Sequence, residues 1–229
     1  MALNKRALVL MYHRVLHDHE VSRDIDPGMY VTRESLDRHL RHLASTFELV
    51  SLDGIRDWIA GDIRFRKVPC AITFDDGWED NYRNAFDLLS SHRVPATIFL
   101  VTDRVGTPGM MTWSQIQEME HGGIMFGSHT ATHALLPSLT ESEVRQELER
   151  SQRTLQDRLE RPSTWFCYPK GKHDAASRGI TRERYSGAVA VRKGAISRGD
   201  DLYSVNRIGV HEDVSYDLPL FRCRLASIF

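Results

Sequence analysis

The stretch Cys70–Asn81, CAITFDDGWEDN, decides how this chain is read. Cys70 to Phe74 are apolar or β-branched, as a buried strand requires. The run stops at two adjacent aspartates and a glycine. Like charges side by side at the end of a buried strand repel each other and lose hydration. Either Asp75 and Asp76 are ordinary solvated turn residues, or something positive sits between them.

Outward from this stretch, short apolar runs recur: ALVLMYH (7–13), ELVSL (48–52), ATIFLV (96–101), GIMFGS (123–128), TWFCYP (164–169), GAVAV (187–191) and SVNRIGV (204–210). Helical patterns fall between them. One follows Thr32, with Leu36, Leu40 and Leu43 in a stripe. Another, SLDGIRDWIAG, closes at Gly61. A third covers Asp80 to Ser91. A fourth starts from a Thr112 cap with Gln115 in the capping-box position and stops at Gly122 and Gly123. The longest, Thr140 to Glu160, has Glu143 completing a capping box and Val144, Leu148, Leu155 and Leu159 facing inward. Strands alternating with helices imply βα units and a parallel sheet. The expected fold is α/β, a distorted, incomplete (β/α)7 barrel built as one domain over residues 1–229. Chemistry in such barrels gathers at the C-terminal ends of strands, and Asp75 and Asp76 stand at one.

The 229 residues are 41% hydrophobic and 27% charged, which suits a soluble globular chain with a sizeable core. A formal net charge of −1 gives no global field for nucleic acid or an anionic membrane. The basic stretches RHLRHL (38–43) and DIRFRK (62–67) read as solvated faces. Cysteines at 70, 167 and 223, an odd number without CxxC spacing, imply reduced thiols. Lys5 and Arg6 imitate the start of a signal peptide, but the apolar run Ala7 to Tyr12 is cut by His13 and Arg14 and is too short to direct export. No run approaches a membrane span. The expected compartment is the cytoplasm.

The second informative stretch is GSHTATH, Gly127 to His133, again after an apolar run. Spacing of four places His129 and His133 on one side of a helical turn, where both imidazoles can share an ion. A strand-end aspartate supplies a third ligand. Two imidazoles and a carboxylate make an open site for one divalent cation, zinc by preference, with cobalt, nickel or manganese admitted by the same donors. Such a cation lowers the pKa of water and polarises a carbonyl. It also lets two neighbouring carboxylates stay ionised, so the second aspartate is available as a base.

TFDDG followed by SHTATH resembles the first two motifs of the polysaccharide deacetylases, the NodB-homology group of carbohydrate esterase family 4. LVLMYHRV and FCYPKG extend the likeness to the branch of exopolysaccharide N-acetylglucosamine deacetylases, over roughly residues 7 to 210. The resemblance implies a distorted barrel that removes N- or O-acetyl groups from sugars. It implies Asp75 as general base and Asp76, His129 and His133 as metal ligands. Many members carry an arginine in the third motif that orients the base. Here Cys167 falls at that place, so this orientation is missing or supplied elsewhere. Lys170 falls where the family uses a backbone N–H as oxyanion donor. The general acid is His13 of the early motif or His211 of IGVHED, with His13 matching the branch more closely. Trp78, Trp113 and Tyr168 are candidate walls for a sugar ring, though for Trp113 ordinary core packing is favoured because it opens a helix.

The implied function is metal-dependent removal of an acetyl group from a carbohydrate, with an acetylated sugar or oligosaccharide as substrate and no nucleic acid partner. Two alternatives use the same residues: a metal-dependent amidase on a small molecule, and a catalytically silent carbohydrate-binding domain. A nucleotide hydrolase is excluded, because AITFDDG has no GxxxxGK[ST] loop to accompany it.

Overall fold

The structure, a computed structural model, describes residues 5–191 and 194–226. Residues 1–4, where the reading of the N-terminus begins, lie outside the described residues, as do 192–193 and 227–229. The strands are β1 (Arg6–Tyr12), β2 (Arg14–Leu16), β3 (Tyr30–Thr32), β4 (Glu48–Leu49), β5 (Pro69–Phe74), β6 (Ala96–Leu100), β7 (Met125–Ser128), β8 (Trp165–Cys167), β9 (Gly187–Val189), β10 (Ile196–Ser197) and β11 (Ile208–Gly209). The helices are α1 (Arg33–Thr46), α2 (Leu52–Ala60), α3 (Phe86–Ser91), α4 (Trp113–His121), α5 (Glu141–Arg158), α6 (Ala175–Arg182), α7 (Glu212–Ser215) and α8 (Leu218–Ala226).

Helix boundaries follow local chemistry. Thr32, Ser51, Thr112 and Thr140 each accept a hydrogen bond from the backbone N–H three residues on, and Gln115 and Glu143 return the bond in full capping boxes. Gly61 ends α2 in the left-handed conformation with φ 94°. The expected helix over 80–91 is regular only from Phe86, because Asn81–Ala85 form a widened turn with i→i+5 bonds.

The strands curl into an open half-barrel in the order β11, β1, β5, β6, β7, β8, β9, all parallel. The short β4 pairs in parallel with the start of β5, and β10 pairs antiparallel with the start of β1, so the sheet is mixed. The expected strand over 204–210 is divided between the two edges. Val205 bridges to Val189 on one side, while Ile208 and Gly209 pair with Leu10 and Met11 on the other. This segment therefore spans the gap between the last and first strands. The loop between β1 and α1 contains β2 and β3, a small separate parallel pair.

Alternation along β5 sorts its side chains. Ile72 and Phe74 pack outward under the helices, in a cluster shared with Leu36, Leu40 and Ile116. Ala71 faces the barrel interior with Val9, Phe99, Trp165, Cys167 and Val189, and α2 packs its Ile55, Trp58 and Ile59 against this inner cluster. A third cluster, under α5 and α6, holds Leu148, Phe166, Tyr168, Ile180 and Tyr185.

Gly127 leaves room for the inner cluster. A Cβ there would stand 2.5 Å from the Phe99 ring and 2.9 Å from the Trp165 carbonyl oxygen. Gly127→Ala is expected to cost about 1–3 kcal/mol of stability, the usual range for overpacking a filled core. Urea unfolding measures it, and a midpoint equal to that of the parent would show that the interior has space to spare.

Candidate active site

In an extended chain Asp75 and Asp76 would point to opposite faces of the sheet. Asp75 keeps the inward register of Ala71 and Thr73. Asp76 then adopts φ 74° and Gly77 φ 81°, which breaks the alternation and turns the second carboxylate back over the same mouth. Gly77 is required twice, by its φ and because a Cβ would lie 2.7 Å from Leu100 Cδ2. Both aspartates are buried, at 3% and 7% exposure. The bland reading of a solvated turn is thereby removed.

The positive charge beside Asp75 is Arg207. Its Nη1 donates to Asp75 Oδ1 and its Nη2 to Oδ2, both at 2.7 Å. Nη1 also donates to Thr73 Oγ1 at 3.0 Å, and Nε to the Ala190 carbonyl at 3.3 Å. The guanidinium has no exposed surface. Burial opposes ionisation of Asp75. The charge and bidentate hydrogen bonds of Arg207 overcome it and hold the carboxyl well below the usual carboxylate range. Cys167 Sγ stands 3.0 Å from Nη2 and 3.5 Å from Asp75 Oδ2, and burial pushes its thiol far up. The small side chain at 167 thus makes room for an arginine that arrives from the gap-spanning segment. Sequence reasoning missed Arg207. Its signal was a lone arginine inside the apolar run SVNRIGV.

The second cluster is Asp76, His129 and His133. Asp76 Oδ1 lies 3.7 Å from His129 Nε2 and 3.5 Å from His133 Nε2, and the two rings stand 4.8 Å apart at 70°. Trp78 Nε1 donates to the other Asp76 oxygen at 3.1 Å. The expected helical turn at HTATH is absent. The chain runs as a loop with Thr130 at φ 66° and His133 at φ 67°. Left-handed backbone at a β-branched threonine costs on the order of 1–3 kcal/mol, so the surroundings must enforce it.

The donor set fits a divalent cation. His129 Nδ1 donates to the Cys167 carbonyl oxygen at 2.7 Å, so Nε2 is the nitrogen turned toward Asp76 and placed to ligate. Burial pushes His133 down to about 4, which keeps its ring available as a neutral donor. Ligand atoms about 2.0–2.2 Å from one tetrahedral ion stand roughly 3.3–3.5 Å apart, close to the spacings across Asp76. Asp75, His129 and Cys167 also bring ligand atoms within 4.8 Å of one another. Arg207 already occupies both oxygens of Asp75 there and repels a cation.

The remaining expected residues divide. His13 follows β1 and lies within electrostatic reach of Asp75, Asp76 and His129; burial lowers its pKa while the two carboxylates draw it back up. His211 follows β11 in the adjacent register, and its Nδ1 pairs with the Asp213 carboxylate at the start of α7. Lys170 is exposed in a left-handed turn with φ 54°, and Gly171 beside it packs so close to Val191 that a Cβ would stand 2.4 Å from its nitrogen. Trp78 is half-buried beside Asp76, with the Arg14 guanidinium over its ring at 4.6 Å. One expectation is corrected. Tyr168 has no exposed surface and packs under α5 and α6 with its hydroxyl on the Tyr203 carbonyl, because it takes the face opposite to Cys167. Trp113 packs against the outer core cluster beneath Arg158, as its place at a helix start favoured.

Residues 63–184 match the family model described as polysaccharide deacetylase. YxkH of Bacillus subtilis (strain 168), which bears a polysaccharide deacetylase name, is 25% identical over 209 residues, 90% of this chain and 72% of that protein. A poly-beta-1,6-N-acetyl-D-glucosamine N-deacetylase of Staphylococcus epidermidis is 26% identical over 165 residues, which cover 66% of this chain and 57% of its own length. The solved structure of IcaB from Ammonifex degensii superposes with a TM-score of 0.84 at 27% identity, over 97% of each chain. No helix among the described residues is long and apolar enough to cross a membrane.

The ion pair makes a stability prediction. Arg207→Met leaves a buried carboxylate unpaired and is expected to cost about 3–5 kcal/mol. Asp75→Asn with Arg207→Met should recover a large part of that loss, since no lone charge remains. Asp75 has a lowered folded pKa, so its stabilisation is complete above about pH 4 and is lost as pH falls through that lowered value. Urea unfolding at pH 7 measures the mutant losses, and a pH series from 7 down to 2 follows the onset of the pH-dependent loss below about pH 4. Purely additive losses would contradict the pairing.

Proposed function

The chain belongs to the polysaccharide deacetylase family, and from that premise we propose that it hydrolyses an N-acetyl group from a carbohydrate with one divalent metal. Asp76, His129 and His133 would hold the metal, and zinc suits two nitrogens and one oxygen. The observation that carries the reading is the pair of carboxylates on one mouth, one tied to an arginine and the other facing two imidazoles. When bound, the cation supplies Lewis acidity to the acetyl carbonyl and makes water easier to deprotonate.

The protein's own groups supply the rest. Asp75 takes the proton of the attacking water. Arg207 fixes the angle of that carboxylate and keeps it ionised. This sacrifices basicity, since a base works best with a pKa near the operating pH. The Lys170 N–H on the rim is assigned to the oxygen that gains charge. His13 delivers a proton to the leaving nitrogen. It is preferred to His211 because it lies within electrostatic reach of Asp75 and Asp76, whereas the His211 ring is engaged by Asp213. Trp78, fixed by Asp76, offers an apolar wall for the sugar.

Acetate release tests the proposal across oligomeric N-acetylglucosamine, nucleotide- and lipid-linked acetylated sugars, and acetylxylan. Asp75→Asn should retain metal stoichiometry and lose about 10²-fold or more in rate. Near-normal turnover of that variant would remove Asp75 from the base role. His13→Ala should slow amide cleavage far more than cleavage of an activated aryl acetate, whose leaving group needs little protonation. His211→Ala should be milder on both, and the reverse ranking moves the acid to His211.

A further inference from the structure

We propose that Glu147 of α5 is the positioning residue that holds the His129–His133 loop in its metal-binding shape; this rests on the reading of Asp76, His129 and His133 as ligands. The loop's two left-handed residues, Thr130 and His133, enclose Ala131 and Thr132. Glu147 Oε2 accepts from both intervening backbone N–H groups, at 3.1 Å from Ala131 and 2.9 Å from Thr132. Ala131 has no exposed surface, so with Glu147 in place its N–H is satisfied by this carboxylate and not by water. One helical turn on, Ser151 Oγ lies 2.7 Å from Ser128 Oγ, which accepts the Thr130 N–H at 3.3 Å. Residues 147 and 151 share a side of α5, and the helix is seated by the buried Val144, Leu148 and Leu155.

The opposite side of the loop is tied as well. The Thr130 carbonyl accepts from Thr102 N–H at 3.3 Å and the Ala131 carbonyl from Asp103 N–H at 3.0 Å. Arg150 pairs with Asp103 and stands 3.7 Å from Glu147, linking the two sides. His133 carries its ring at the end of this turn, and its own N–H donates to Thr130 Oγ1 at 2.9 Å. Release of the Glu147 contacts lets the turn relax toward ordinary backbone and swings His133 away from Asp76. Glu147 touches none of the reacting atoms. Its effect passes through the backbone of residues 131 and 132.

Calorimetric titration of metal-free full-length protein with Zn²⁺ tests this, alongside amide hydrogen exchange of Ala131 and Thr132. Glu147→Ala is expected to weaken zinc binding about 10–100-fold, the usual effect of losing a group that orients ligands, and to speed exchange at both amides. Glu147→Gln keeps an acceptor oxygen and should bind within a few-fold of the parent. With excess zinc, Glu147→Ala should regain kcat with an unchanged KM. Equal affinity of Glu147→Ala and parent overturns the inference alone, and so does an equal loss in Glu147→Ala and Glu147→Gln. If Glu147→Ala does not fold, the Glu147→Gln titration and the parent's slow exchange at both amides decide. A parent that takes up no zinc overturns the metal reading and this role with it.

Discussion

Asp75 and Arg207 form a buried bidentate ion pair, and much else in the structure is arranged to permit it. A guanidinium without exposed surface needs every donor placed, and the two Asp75 oxygens, Thr73, the Ala190 carbonyl and Cys167 Sγ take them. Thr73 in turn donates to the Leu10 carbonyl at 2.7 Å, tying the cluster to β1. The pair joins residues 132 apart in sequence, one at the end of β5 and one in the segment that spans the open edge of the barrel. Closing the barrel and orienting the carboxylate are therefore the same event. Cys167 is part of this arrangement, since a long side chain there would occupy the volume of the guanidinium.

A second constraint is that regular strands cannot place adjacent side chains on one site. The chain solves this by leaving strand geometry where β5 and β7 end. Left-handed residues at Asp76, Thr130 and His133 redirect three chemical groups toward one point. The strain sits in short corners anchored by strands on one side and by α5 on the other. The outward-facing clusters under the helices remain regular and apolar. Rigid layers of this kind keep the spacing across Asp76 close to what one small cation needs.

Features encoded within a few residues were legible in the sequence. The caps at Thr32, Thr112 and Thr140 depend on a partner three positions away, so their helices start where expected. Asp75, Asp76, His129 and His133 stood out because strand ends in a barrel collect polar groups. Arg207 was not legible as the partner of Asp75, because the pairing depends on how the sheet curls. The loop at HTATH was misread as helical because a spacing of four fits both a helix and a double left-handed corner. Tyr168 was misplaced for a simpler reason. Period-two alternation puts it opposite Cys167, so both cannot face the site.

Crystals grown with zinc or cobalt, with diffraction recorded at the metal's absorption edge, test the central claim most directly. One anomalous peak should appear about 2.0–2.2 Å from Asp76 and from Nε2 of His129 and His133, with Asp75 still held by both nitrogens of Arg207. A peak between Asp75, His129 and Cys167, with Arg207 displaced, would contradict the assignment of the two aspartates. A well-ordered site without any peak at saturating metal would contradict the metal site altogether.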